Sequence, residues 1–367
     1  MYLTTFSKQN ARIQQLDNIK TSKYLHRIKD NIVSRHFSFL IATAIGFAAL
    51  LWLSAWVVRP DLSTKPRTYT DEELVAASSL RDNRIFPEDR PKLHVDVDYG
   101  EGVQAQWWPK GESPILAELV DEGSLPNVAE RVGPEPIVYE PIENIGSYGG
   151  TWVRSIPSVD RLRFYMRYEL GCGTLLRFSP HVYPAVPHLV RDYEISDDNR
   201  VFTFYLRKIR WSDGHPFTAD DIMFWWEAWA TWQDPVTGDR LGWVPEIVKV
   251  RGAEGTIEKI DDHTVRYVFP EPNGIFLEFM TGARGSAFQP MPAHYLRQFH
   301  PGFGNPAKIR EIQEAYQLPS AVQVFKHMRE LDNNPELPTL SPWILRTYRA
   351  GGPYTLVRNP YYYAVDT

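Results

Sequence analysis

The chain lacks the residues on which several functional classes depend. Its 367 residues contain one cysteine, Cys172, so an intrachain disulfide is impossible, and no Cys/His spacing typical of a zinc site occurs. The glycines around Cys172 lack a His/Asp partner pattern and a full Gly-rich motif, which argues against a nucleophile or a phosphate loop. A formal net charge of -5 gives no support for nucleic-acid binding. We therefore predict no cofactor, no metal and no nucleic-acid partner.

Charge is also absent from one long apolar run, residues 37–58. About 20 apolar residues span a bilayer as a helix, and residues 1–36 carry seven Lys/Arg. Because basic residues stay on the cytoplasmic side, we expect residues 1–36 in the cytoplasm and the rest in the periplasm or extracellular space. We predict an uncleaved transmembrane signal anchor over residues 37–58; a cleaved signal peptide is the alternative.

The remaining chain mixes helices and strands without a regular βαβ rhythm, which predicts an α+β fold. Residues 59–112 are polar and proline-bearing, so we predict a linker there with a short helix at Asp71–Leu80. Residues 113–122 predict another short helix, with Ser113 as N-cap and Pro114 in its first turn. Further expected elements are a strand in TWVRSI (151–156), hairpins turning at 197–199 and at 261–263, helices within 305–333, and a strand at 353–359.

The stretch WSDGHPFTADDIMFWWEAW (211–229) admits two interpretations. Thr218 and Asp221 have the spacing of a capping box that begins a helix. Four apolar residues then share one helix face: Ile222, Trp225, Trp226 and Trp229. We expect this face to pack in the core, the alternative being tryptophans that stack sugars or bases. A metal or acid–base cluster would instead use Asp213, His215, Asp220 and Asp221.

A longer stretch around it, VFTFYLRKIRWSDGHPFTADDIMFWWEAW, resembles the signature of the family 5 extracellular solute-binding proteins. These proteins are the oligopeptide- and dipeptide-binding components of ABC importers. Phe202 to Arg207, Trp211, Asp213, Gly214, Pro216 to Ala219 and Asp221 match the family pattern. Weaker resemblances, among them RNPYYYAVD near the C-terminus, extend the similarity over residues 113–367.

The resemblance implies a periplasmic-binding-protein-like type II lobe with an accessory subdomain over residues 113–367. Family members run well past the RNPYYYAVD motif, so it also implies that the second lobe is missing from this chain or comes from a separately encoded chain. The implied function is a membrane-anchored binding component, not an enzyme, that captures peptides or similar small solutes and docks on an ABC permease. The alternatives are a non-transporting interaction or receptor module, an inactive truncated fragment, and a hydrolase or metal enzyme built on the acidic and histidine residues.

The same resemblance selects the candidate ligand-binding residues, because the segment from Arg154 to Leu176 lines the lobe-I wall in relatives. Within it we select Tyr165, Tyr168 and Glu169, and we add Trp343 from the returning segment. Ordinary amphipathic packing is the alternative for the tyrosines, and a solvated surface carboxylate is the alternative for Glu169. His294 and His300 lie six residues apart, a spacing that favours packing and loop contacts over a metal site.

Overall fold

The structure is a computed structural model that describes residues 41–54, 70–82, 92–94, 96–141, 146–166, 170, 173–179, 184–281, 285, 288, 290–347 and 353–367. It divides into two compact units, Met1–Ile85 and Phe86–Thr367. Each is described by itself below.

The first unit contains two described helices, α1 over residues 41–54 and α2 over Asp71–Asp82. A reciprocal capping box begins α2: Thr70 N donates to Glu73 Oε2 at 3.0 Å, and Glu73 N donates to Thr70 Oγ1 at 3.2 Å. The helix predicted at Asp71–Leu80 is therefore confirmed.

The predicted membrane span over 37–58 overlaps α1 but extends outside the described residues at 37–40 and 55–58. None of the helices in the described ranges is long and apolar enough to cross a bilayer. The predicted cytoplasmic segment 1–36 lies wholly outside the described residues.

The second unit holds the remaining helices, most of them short. Its α-helices are α3 (Pro114–Asp121), α4 (Val128–Val132), α5 (Val159–Phe164), α6 (Ala219–Met223), α7 (Phe276–Thr281), α8 (Ala293–Leu296), α9 (Pro306–Ala315) and α10 (Ala321–Met328). A π-helix, Phe224–Ala230, continues α6, and 3-10 turns occur at Tyr99–Gln104, Glu246–Val248 and Arg297–Phe299.

Its strands form small sheets rather than one large sheet. They are β1 (Lys92–His94), β2 (Ile137–Glu140), β3 (Leu176–Phe178), β4 (Ala185–Pro187), β5 (Val190–Ile195), β6 (Val201–Leu206), β7 (Lys249–Val250), β8 (Ala253–Glu254), β9 (Thr256–Asp261), β10 (Thr264–Val268), β11 (Trp343–Thr347), β12 (Thr355–Arg358) and β13 (Ala364–Asp366). The sheets have the orders β5-β6-β10-β9, β1-β2-β13, β11-β12, β3-β4 and β7-β8. The fold is therefore a mixture of α and β elements.

The sheet β5-β6-β10-β9 is antiparallel throughout and carries much of the core. Along β6 the buried residues alternate, Phe202, Phe204 and Leu206, because successive side chains of a strand point to opposite faces. The two predicted hairpins, with turns at 197–199 and 261–263, are confirmed as β5–β6 and β9–β10.

A second sheet joins distant parts of the sequence. Strand β2 pairs antiparallel with β1 and parallel with β13, whose Val365 lies opposite Val138. Strand β1 falls inside the segment 59–112 that the composition predicts as a linker, and Ala105 and Trp107 of that segment are buried beside Val138. Part of the predicted linker is thus an integral piece of the second unit.

The prediction of a strand in TWVRSI is wrong. Residues 151–156 belong to no helix or strand and have no ladder partner in the described part of the chain. Gly149 and Gly150 precede them with φ of 115° and 77°, a backbone conformation that side chains with a Cβ rarely adopt. Alternation of side chains alone does not show whether a neighbouring strand is present to pair with, which a strand requires.

Residues 211–229 form the packing element that the spacing predicts. Thr218 is the N-cap of α6, and its N–H donates to Asp221 Oδ2 at 3.0 Å. Ile222, Trp225 and Trp229 are each at most 4% exposed, so this face lies in the core and is not a platform for sugars or bases. The helix changes to π geometry from Phe224, which the 3.6-residue spacing does not reveal.

Candidate ligand-binding surface

Helix α5 and the β11–β12 hairpin are held together by a small apolar cluster. Its buried members are Leu162, Met166 and Leu345, and partly buried side chains such as Ile156 and Leu356 pack against it. Burial of such side chains stabilises by about 1.5–3 kcal/mol each. The cluster therefore brings the segment that precedes α5 close to the hairpin near the C-terminus, two regions that the sequence analysis singles out separately.

Tyr165 anchors the first half of this surface and is only 8% exposed. Its ring meets Trp152 edge to face, with 6.2 Å between ring centroids. The Arg154 guanidinium carbon lies 4.6 Å from the Tyr165 centroid, within cation–π distance. Tyr165 thus supports the 71%-exposed Trp152 from behind, and Trp152, more than Tyr165, presents a face to solvent.

Trp343 begins β11 and is 39% exposed. It lies directly opposite Arg358 of β12 in the antiparallel register. The Arg358 guanidinium carbon in turn lies 5.4 Å from the ring centroid of Tyr148, which is also exposed. Arg358 and Tyr148, with Trp343 opposite Arg358 in the ladder, therefore form a second aromatic–arginine group.

Arginines recur among the aromatic side chains of both groups. Besides Arg154 and Arg358, Arg161 of α5 places its guanidinium 4.7 Å from the ring centroid of Phe164, which is 41% exposed. Exposed aromatic faces stack on flat or apolar ligand groups, and guanidinium N–H groups donate to hydroxyl, carbonyl or carboxylate oxygens. The combination suits binding of a polar small solute rather than bond-breaking chemistry.

Of the four candidate residues selected from the sequence, the structure describes two: Tyr165, which contacts Trp152 and Arg154, and Trp343, which begins β11. Tyr168 and Glu169 lie outside the described residues, as does Cys172. The exposed Tyr148 and Trp152 and their arginine partners were not among the predicted residues. One local pattern points to both aromatic residues. In the sequence SYGGTW the two glycines between them disfavour a strand, so the aromatic side chains are expected in a loop.

The acidic residues of 211–229 do not converge on a common site. Asp221 is 3% exposed, and its carboxylate accepts from Trp211 Nε1 (3.0 Å), Thr218 N (3.0 Å) and Ala293 N (2.9 Å). Burial raises the pKa of Asp221 above its ordinary value despite these donors. Asp213 Oδ2 lies 2.7 Å from His294 Nε2, and His294 stacks on His215 at 3.8 Å. The described residues contain no cluster of three or more His, Cys, Asp or Glu that could hold a metal ion.

Comparison with known proteins identifies a family for the C-terminal half of the chain. Residues 185–367 match the family described as "Bacterial extracellular solute-binding proteins, family 5 Middle". The match covers the β5–β6 hairpin, residues 211–229 and the β11–β12 hairpin. This part of the chain belongs to the family 5 extracellular solute-binding proteins, and the relatives it matches are substrate-binding proteins.

Three relatives illustrate the similarity. The "Periplasmic alpha-galactoside-binding protein" of Rhizobium meliloti (strain 1021) is 27% identical over 271 residues, 69% of this chain and 36% of that protein. A solved "oligopeptide-binding protein OppA" is 35% identical with a TM-score of 0.62, covering 72% of this chain and 40% of its own. The periplasmic binding protein MelB from Agrobacterium fabrum C58, in complex with stachyose, shares the fold with a TM-score of 0.54 at 24% identity, over 77% of this chain and 41% of its own. The chain thus spans less than half the length of these relatives.

Proposed function

We propose that this chain captures a peptide or a similar small solute, such as an oligosaccharide, outside the cytoplasmic membrane for an ABC importer. The observation that carries the proposal is the aromatic–arginine surface formed by residues 146–156, α5 and the β11–β12 hairpin. Its exposed Trp152 and Trp343 supply stacking faces, and Arg154 and Arg358 supply fixed donors. In this proposal the unit is the first lobe, with accessory subdomain, of a type II binding protein.

Oligosaccharides and peptides both fit this surface. The names of the relatives refer to both classes, an alpha-galactoside in one and an oligopeptide in another. Indole rings stack on sugar rings and on apolar peptide side chains alike. The arginines fit sugar hydroxyls, peptide carbonyls and a peptide carboxylate. The experiment below therefore offers both classes to the same protein.

The finer location is a proposal that rests on sequence. The uncharged run 37–58 and the seven Lys/Arg before it support a single-pass anchor with a cytoplasmic N-terminus, with the binding domain outside and the permease as membrane partner. A separately encoded second lobe also stays a prediction. Protease added to intact spheroplasts should digest residues 113–367 and spare an epitope at the N-terminus; protection of both parts would contradict this orientation.

The binding proposal is tested by calorimetry on the 367-residue chain with stachyose and with a tripeptide library. We expect saturable binding of one class. Trp152→Ala and Trp343→Ala should each weaken the affinity for that class about tenfold, because an aromatic contact of this kind contributes on the order of 1–2 kcal/mol.

Trp243→Ala is the matched control. Trp243 is 58% exposed but contacts Trp229, away from the proposed surface, so its truncation should leave the affinity unchanged. No binding of either class, or equal losses in all three variants, would contradict the proposal.

A further inference from the structure

A second concavity lies elsewhere in the unit, between the α6–π-helix element and the segment 297–303. Its volume is about 220 Å³. The residues around it are Asp220, Met223, Phe224, Glu227, Ala228, Arg297 and Phe303. None of them belongs to the aromatic–arginine surface, so the two places can be tested separately.

Arg297 is the cationic group of this concavity and is exposed. Its guanidinium carbon lies 5.3 Å from the ring centroid of Phe303 and 6.0 Å from that of Phe224. In the described part of the chain, Arg297 has these ring contacts and no ion pair. A guanidinium held over aromatic rings keeps its in-plane N–H donors available for an oxyanion.

The floor under Arg297 is rigid. Phe224 is 4% exposed, and Phe303 stacks on His300 with 3.8 Å between ring centroids. Both nitrogens of His300 are engaged: Nε2 lies 2.9 Å from Ala228 O, and Nδ1 accepts from Gly302 N at 3.1 Å. Arg297 therefore lies beside one buried ring and one 48%-exposed ring, Phe224 and Phe303, and contacts of this kind restrict the side chain and reduce the entropic cost of binding.

Glu227 supplies the opposite charge from the π-helix. Its carboxylate is exposed and has no ion-pair partner among the described residues. The neighbouring Asp220 is already neutralised by Lys259, whose Nζ lies 2.8 Å from Asp220 Oδ1. Short π-helical turns are found frequently at functional sites, and this one carries Phe224, Glu227 and Ala228 of the concavity.

We propose that this concavity binds a free zwitterionic amino acid with an apolar side chain. The ligand carboxylate meets Arg297, its ammonium group meets Glu227, and its side chain lies against Met223 and Phe303. The volume of about 220 Å³ is below the range of about 300–1,000 Å³ typical of drug-sized ligands, which favours a single amino acid over a longer peptide.

The probe is L-leucine, titrated into the full chain and followed by calorimetry. N-acetyl-L-leucine lacks the ammonium group and L-leucinamide lacks the carboxylate, so each should bind at least about tenfold more weakly than L-leucine. Arg297→Met keeps an apolar stem over the rings but removes the donors, and it should weaken L-leucine binding at least about tenfold. Glu227→Gln should weaken L-leucine about tenfold while leaving N-acetyl-L-leucine unchanged.

Matched controls are Arg310→Met and Glu314→Gln, exposed positions on α9 outside the concavity, which should not alter the affinity. Trp343→Ala should also leave L-leucine binding intact, which separates this site from the proposed function. The proposal is overturned if L-leucine does not bind, if Arg297→Met and Glu227→Gln bind it as the unaltered chain does, or if Trp343→Ala abolishes the binding. Because Glu227 is exposed, we expect Glu227→Gln to fold. That variant therefore still tests the proposal if Arg297→Met does not fold.

Discussion

At the scale of single residues, Asp221 is the most constrained side chain of residues 211–229. One buried carboxylate accepts three hydrogen bonds, from Trp211, Thr218 and Ala293. It thereby fixes the turn before α6, the cap of α6 and the start of α8. Asp213 and Asp220, by contrast, are exposed and each contact one neighbouring cation or histidine.

We expect Asp221→Asn to lower the free energy of unfolding by about 3 kcal/mol. The amide is nearly isosteric, but its NH₂ group faces backbone and indole donors, and a hydrogen bond to a charged group is worth about 1.5–3 kcal/mol. Urea unfolding followed by circular dichroism measures the change. Asp197→Asn, in the exposed β5–β6 turn, is the control and should shift stability by less than about 0.5 kcal/mol; equal effects of the two would refute the role given to Asp221.

Two buried histidines predict a pH dependence of stability. Burial lowers the pKa of His188 to about 3 and the pKa of His300 to about 4, from 6.5 when unfolded. The unfolded chain therefore binds protons that the folded chain does not. Stability is fully present above about pH 6.5, and it falls as the pH drops toward 4 and 3, by about 1.4 kcal/mol per pH unit for each histidine.

The measurement is the free energy of unfolding in urea at pH 7, 5.5 and 4.5. His300→Gln removes one titrating group, so the loss between pH 7 and 4.5 should become smaller, although the absolute stability is lower. A slope that His300→Gln leaves intact would show that His300 is not a source of the acid sensitivity.

At the scale of elements, the π-helix and the loop after it depend on close packing around Trp229. A Cβ added at Gly242 would lie 2.5 Å from Trp229 Cε2. Trp229 is itself 4% exposed, and the Arg329 guanidinium carbon lies 3.9 Å from its ring centroid. The indole has little room to move.

We therefore expect Gly242→Ala to destabilise the protein by about 2 kcal/mol, since overpacking a dense core costs about 1–3 kcal/mol. Gly274→Ala is the matched control, because no heavy atom lies within 4 Å of a Cβ at that position. Thermal unfolding of both variants is the measurement. A Gly242→Ala protein as stable as Gly274→Ala would mean that Trp229 can relax away from the loop.

The elements also show which parts of the structure the sequence could predict. The two hairpins could be predicted from sequence. The alternation of Phe202 and Phe204 indicates a strand, and the Asp/Asn residues indicate a turn, and both patterns are local. The strand expected over residues 151–156 failed because pairing depends on a distant partner. The π-helix that begins at Phe224 could not be predicted, because this apolar spacing fits an α-helix and a π-helix alike.

The candidate surface was only partly predictable for the same reason. Trp343 and Tyr165 came from a resemblance, whereas the packing of α5 on the β11–β12 hairpin through Leu162 and Leu345 is visible only in the structure. The exposure of Trp152 and its support by Tyr165 depend on tertiary contacts that no local pattern encodes. Arg154 and Arg358 were missed because an arginine in a sequence does not show which ring it will cover.

At the scale of the whole molecule, the buried core lies in one of the two units. The buried apolar residues of the described ranges run from Ala105 to Tyr363, all within Phe86–Thr367. The described residues of the first unit, α1 and part of α2, are mostly exposed, and they include apolar side chains such as Ile45 and Trp52. The hydrophobic stabilisation of the fold therefore belongs to the second unit.

We expect a chain that begins at Phe86 to fold by itself with an unfolding midpoint within about 2 °C of the full chain, because a difference of 1 kcal/mol shifts the midpoint by about 2–4 °C at this size. Differential scanning calorimetry measures both. The matched control begins at Pro109 and so lacks β1 together with Ala105 and Trp107, which pack against Val138. Its midpoint should fall clearly below that of the chain from Phe86. Equal midpoints of the two shortened chains would contradict the assignment of residues 92–108 to the folded unit. They would instead support the linker that the composition of these residues predicts.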